Sequence, residues 1–148
     1  MPKVPLDVVE KTIACTYRSL WTTVFGSPPG LTPANIELIL GATHAGYRHE
    51  HGILVLSVSF HDLADPGILN TGRDPQWFSD LAHEMVHEYQ MKVVLGHETP
   101  EGRSLRRMYR DVFSQPGHDA DFFTAVPILA YAVGKPIDEF IAWISPSL

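Results

Sequence analysis

The sequence has little cysteine, little positive charge and no long apolar run, and each shortage excludes a class of protein. Cys15 is the one cysteine among 148 residues, so neither a disulfide framework nor a cysteine-built zinc ribbon can form within one chain. Lys+Arg number 11 against 17 Asp+Glu, a formal net charge of -6. A strong general nucleic-acid binder, which needs clustered cations for phosphate, is therefore not expected. No apolar run approaches the roughly 20 residues of a membrane span, so no membrane partner is expected. The first residues carry Lys3 but no continuous apolar stretch, which argues against a secretory signal and makes cytoplasmic the expected address. Repeats, low-complexity tracts and long linkers are missing too, and the expected organisation is a single domain over residues 1–148.

Two things are plentiful. Hydrophobic residues make up 45% of the chain, enough for one core without staples. Histidine occurs 8 times, and the question is whether any of the eight act together.

Hydrophobic spacing sets out the elements. Leu6, Val9, Ile13, Tyr17, Leu20 and Val24 fall at steps of three and four, predicting an amphipathic helix that Gly26-Ser27-Pro28-Pro29-Gly30 ends. Ile36–Leu40 and Ile53–Phe60 read as strands, and the polar Ala42–Gly52 connection predicts a hairpin with a long loop. Asp74 as N-cap, Pro75 in the first turn and Gly96 at the end delimit a helix with Phe78, Leu81, Met85, Tyr89 and Val93 inward. A helix from Pro100 to Phe113 is expected to bury Leu105, Met108, Tyr109 and Val112. Asp119–Val133 is helical, with Pro127 as a kink or a new start. Gly134 ends it, and Pro136 opens a last helix facing Ile137, Phe140, Ile141 and Ile144 inward. The order predicts an α+β domain dominated by helix, with a small three-stranded or hairpin sheet.

The chemistry lies in His83-Glu84-Met85-Val86-His87, an HExxH sequence inside the Asp74–Leu95 helix. Residues four apart on a helix stand one above the other, so both imidazoles can reach one metal ion. Glu84 follows the first ligand directly, which turns its carboxylate toward a water on that metal. A zinc ion held by three protein ligands keeps a fourth position for water, and Glu84 then acts as catalytic base. A shuffled chain of this composition yields roughly 0.02 such matches, and the plainer alternative is two surface histidines on an amphipathic helix. Spacing leaves the third ligand open among His118, His97, Glu98, Glu101, Asp119 and Asp121.

His83-Glu84-Met85-Val86-His87-Glu88-Tyr89, followed by Gly117-His118-Asp119-Ala120-Asp121-Phe122, resembles the SprT-like zinc metallopeptidase domain. The upstream order is similar too: an N-terminal helix, a strand, Gly46-Tyr47-Arg48, then an apolar strand ending near Phe60. The resemblance covers most of the chain and implies a zincin-like fold around an HExxH helix. It also implies zinc on His83, His87 and His118, and endopeptidase action on a protein or peptide. Residues 88–117 contain an extra helix relative to that family. The nucleic-acid-binding parts of DNA-directed members, often including a cysteine-rich ribbon, have no counterpart here. Two other classes share the motif: a gluzincin-like or regulator-cleaving peptidase using Glu98 or Glu101 as third ligand, and a zinc-binding interaction module without turnover.

Other residues carry smaller signals. Arg103, Arg106, Arg107 and Arg110 follow i, i+3, i+4, i+7 spacing, a basic stripe opposite Leu105, Met108 and Val112. It offers a weak anionic contact, against the plainer reading of a solvated face offsetting nearby acids. His44, His49 and His51 read as loop residues, and His61-Asp62 as a turn, although Asp62 could orient an imidazole. Asp80 and Glu88 flank the motif. Tyr47, Tyr109, Tyr131 and the four arginines are candidates for stabilising an oxyanion, and Cys15 reads as a small buried residue.

Overall fold

The computed structural model describes residues 6–26, 31–40, 46–48, 51–58, 75–94, 100–109 and 118–145, without the side chains of Leu6, Pro100 and Glu101. The fold is α+β; among the described residues it comprises five α-helices and a small mixed sheet of three strands. The chain forms two compact units, Met1–Glu84 and Met85–Leu148, and the division falls inside one helix. Among the described residues no helix is long and apolar enough to cross a membrane.

The first unit opens with α1, Leu6–Phe25. Its inward stripe is Val9, Ile13, Tyr17 and Leu20, all buried, as the spacing predicts. Phe25 rather than Val24 completes the stripe. Cys15, expected inside, is exposed, because two residues from both Ile13 and Tyr17 is the opposite side of a helix. The Tyr17 hydroxyl accepts a hydrogen bond from the Ala34 backbone N–H at 2.7 Å, tying α1 to the entry of the sheet.

The sheet combines β1 (Asn35–Leu40), β2 (Gly46–Arg48) and β3 (Ile53–Val58) in the order β1-β3-β2. The two apolar runs do not form the expected hairpin. β1 lies parallel to β3, with Asn35 opposite Ile53 and Leu40 opposite Val58. The antiparallel partner of β3 is the three-residue β2. A parallel pair needs a crossover between its strands, and residues 41–52 supply a chain long enough to hold β2 as well. β3 is central and buried from Leu54 to Val58, which fits a strand paired on both edges and covered on both faces.

Helix α2, Gln76–Tyr89, crosses the division and continues as a π-helical turn, Gln90–Val94. The inward positions are Trp77, Leu81, Ala82, Met85 and Val86. At the end, Val93 is 41% exposed while Val94 is buried, the reverse of the expected register. The wider π turn takes up one extra residue, so the inward face arrives one position late.

In the second unit, α3 (Pro100–Tyr109) packs on α4 (Ala120–Val133). Met108, expected inside, is 68% exposed; the inward stripe is Gly102, Leu105, Arg106 and Tyr109. Arg106 therefore belongs to the packed face rather than to a uniform solvent stripe, and Arg103 and Arg107 are exposed. Asp119 caps α4, accepting from the N–H groups of Asp121 and Phe122. The helix runs through Pro127 to Gly134, whose left-handed backbone (φ 75°) closes it with N–H bonds toward Ala130 and Tyr131. Helix α5, Ile137–Ile144, buries Phe140, Ile141 and Ile144, whereas Ile137, expected inward, is 37% exposed. Asp74, Phe60, Gly96, Arg110, Val112 and Phe113 lie outside the described residues.

Candidate metal centre

The HExxH residues sit on α2 as the i, i+4 geometry requires, and His118 stands immediately before the N-cap of α4. One ring nitrogen from each of His83, His87 and His118 lies within 4.8 Å of the other two, a grouping able to hold a metal ion. In a tetrahedral site with metal–nitrogen bonds of about 2.0–2.1 Å, ligand nitrogens stand about 3.3 Å apart. The Nε2 atoms of His87 and His118 are 3.2 Å apart. The donor set and the spacing both fit a three-imidazole metal site.

The surroundings hold these rings in place. Phe122, fully buried, lies 4.8 Å from the His87 ring and 4.7 Å, edge-on, from the His118 ring. Nδ1 of His87 lies 3.0 Å from Gln90 Oε1, and Gln90 Nε2 donates to Asp119 Oδ1 at 3.0 Å. The Arg106 guanidinium donates to the His118 backbone carbonyl. Helix α3 thus grips the third histidine of the group.

Glu84, which lies between the two α2 histidines in sequence, is buried. Burial, and then the negative charge of Asp80, pushes its carboxyl from 4.5 up to about 8. Bringing a dication beside it favours the ionised form and opposes that rise. Glu88 is fully buried and satisfied by Lys92, whose ammonium lies 2.6 Å from its carboxylate. Asp80 accepts from Gln76 Nε2 at 3.2 Å.

The other sequence candidates divide clearly. Asp119 is the α4 cap and Gln90's anchor. Tyr109 donates its hydroxyl to Asp138, which raises the phenol's pKa through that bond, then through desolvation and charge. Tyr131 is 84% exposed. His51 is exposed and its N–H closes a turn on Arg48. His44, His49, His61, Asp62, His97, Glu98 and the side chain of Glu101 lie outside the described residues.

Sequence reasoning missed Gln90, Phe122 and the role of Arg106. Gln90 carries one usable signal: it stands at i+3 from His87, on the same helical face. Phe122 carries one as well, standing at i+4 from His118 within the Gly117–Phe122 segment; Arg106 carries none, because its contact joins segments that only the fold brings together. No protein-family model, curated protein or solved structure matches this chain.

Proposed function

We propose that the protein is a zinc-dependent endopeptidase of SprT-like type, with His83, His87 and His118 as the ligands and Glu84 as the catalytic base. The observation that carries the reading is the grouping of the three imidazoles within 4.8 Å of one another, with the buried carboxyl of Glu84 next in sequence to His83. Neutral imidazoles suit zinc, and three protein ligands, the number grouped among the described residues, are the complement of catalytic sites that keep a fourth position for water. Zinc in this cage supplies Lewis acidity to a peptide carbonyl and brings the pKa of water to about 7. Glu84 takes a proton from the attacking water and delivers it to the leaving amine. Its burial keeps the carboxylate poorly solvated, so the proton is held where the amide nitrogen needs it. Phe122 packs against the His87 and His118 rings and opposes their turning. The intact Glu84 favours hydrolysis over a metal-holding interaction module, because a structural site has no use for a base.

The test is one set of variants of the full chain, read by metal content and by cleavage of an unfolded protein. Glu84→Gln keeps zinc and loses about 100- to 10,000-fold in rate, the usual worth of a positioned acid–base group. His118→Ala loses the metal and Glu101→Ala keeps it. Full activity in Glu84→Gln overturns the mechanism; zinc lost on Glu101→Ala but not on His118→Ala transfers the site to the gluzincin-like arrangement.

A further inference from the structure

We infer that Gln90 and Asp119 are positioning residues that fix the ring tautomer of His87 and present its Nε2 lone pair to the metal. The inference rests on the metal-centre reading above and extends it from the ligands to the groups that orient them.

The direction of each hydrogen bond can be assigned from chemistry that allows one choice at each step. Asp119 Oδ1 receives backbone N–H groups from Asp121 at 3.2 Å and Phe122 at 3.3 Å. Backbone N–H only donates, so this oxygen is an acceptor. The end of the Gln90 amide that meets it at 3.0 Å must be the NH₂ end. A primary amide has one donating and one accepting end, so the oxygen of Gln90 faces His87 Nδ1, 3.0 Å away. That oxygen can only accept, and Nδ1 therefore carries the proton. Neutral imidazole has one N–H, which leaves Nε2 as the unprotonated nitrogen.

The same polarity continues one step further. His87 Nε2 is 3.2 Å from His118 Nε2, and two ring nitrogens at that distance are joined by a single proton. With His87 Nε2 unprotonated, His118 supplies that proton in the metal-free protein. The orienting dipole begins at the N-terminus of α4, passes through Asp119 and Gln90, and ends on the metal-facing nitrogen of His87. Gln90 is buried, so water does not compete for its amide. Phe122 packs against the His87 ring and opposes the ring turn that would exchange the nitrogens. Gln90 opens the π-helical turn, a departure from α geometry of the kind that re-aims side chains at functional sites.

The decisive measurement is nitrogen-15 NMR of the histidine rings in the metal-free full chain, at a pH where they are neutral, followed by zinc titration. Wild type is expected to show His87 protonated at Nδ1. Gln90→Met, which keeps the volume and removes both amide ends, is expected to populate both tautomers and raise the zinc Kd about 10- to 100-fold, as loss of such orienting partners does. Pairing Gln90→Glu with Asp119→Asn keeps an acceptor beside His87 and a capping oxygen on α4, and is expected to restore the Nδ1–H form and most of the affinity. His87 protonated at Nε2 in wild type overturns the inference, and that measurement needs no variant to fold. An unchanged tautomer and affinity in Gln90→Met overturn it as well. Wild type that takes up zinc yet cleaves nothing overturns the proposed reaction alone and leaves the tautomer result standing.

Discussion

Replacing Gly102 with alanine sets two effects of opposite sign against each other, and the structure says which wins. On propensity alone the change stabilises a helix interior by about 1 kcal/mol. At this position, however, α3 meets α4. A Cβ would stand 2.2 Å from Thr124 Oγ1, 2.4 Å from the Ala120 carbonyl oxygen and 3.1 Å from the Thr124 nitrogen. The hydroxyl could rotate, but it is donating to that same Ala120 oxygen at 2.8 Å, and two of the three atoms are backbone of a buried helix. Relief therefore requires α3 to rise by about 1 Å toward ordinary contact distances. Overpacking of this kind costs about 1–3 kcal/mol, and loss of the Thr124 hydrogen bond adds about 1 kcal/mol. The expected net is a loss of about 1–3 kcal/mol, read as a lower urea midpoint at unchanged m-value. Ser104→Ala, on the exposed side of the same helix, is the control and is expected to gain a few tenths of a kcal/mol. Because Arg106 lies one turn beyond Gly102 and donates to the His118 carbonyl, lifting α3 is also expected to weaken any metal affinity of the three-histidine group. A Gly102→Ala protein as stable as wild type refutes the packing argument.

Two further outcomes follow from the same physics. Burial and Asp80 raise the Glu84 carboxyl from 4.5 to about 8, so the folded metal-free protein holds a proton that the unfolded chain releases. Its stability therefore falls as pH rises from about 4.5 to about 8, by several kcal/mol at most. Glu84→Gln flattens that slope, and a slope identical in the two proteins, from urea midpoints across the window, overturns the assignment. Gly134 has φ 75°, and a Cβ added there would meet nothing within 4 Å, so Gly134→Ala costs about 1 kcal/mol through backbone strain alone. An unchanged Tm contradicts that origin.

What the sequence makes legible is whatever a single periodicity encodes. Val9, Ile13, Tyr17 and Leu20 announce α1, and His83 and His87 announce a pair of imidazoles on one face, because helical spacing fixes both without reference to the rest of the chain. Strand pairing is different: alternation or a β-branched run says that β1 and β3 are strands but not which edges meet. The parallel β1–β3 pair and the intrusion of β2 are consequently tertiary facts. The register error at Val93 has a third origin. The π turn changes the periodicity itself, so an α-helical template extrapolated from Leu81 and Met85 points one residue short. Met108 fails for a related reason. Its apolar side chain invites burial, yet the close approach at Gly102 turns α3 so that Arg106, not Met108, faces α4.

That rotation gives α3 a definite role in the chain between His87 and His118. Arg106 holds the carbonyl of His118 from α3, while Asp119, the next residue, is held by Gln90 from the π turn. His118, the proposed third ligand, is thus held from both sides, by Arg106 of α3 and through Asp119 by Gln90. A hydrogen bond to each of two adjacent residues restrains both the position and the direction of the intervening backbone, where either bond alone leaves a pivot. The glycine that lets α3 approach α4, the arginine one turn later and the glutamine after the HExxH helix therefore act on one imidazole pair. The consequence is geometric: wherever a variant of Gly102, Arg106 or Gln90 lowers affinity for the metal proposed at this site, the His87–His118 nitrogen separation is the distance expected to have changed.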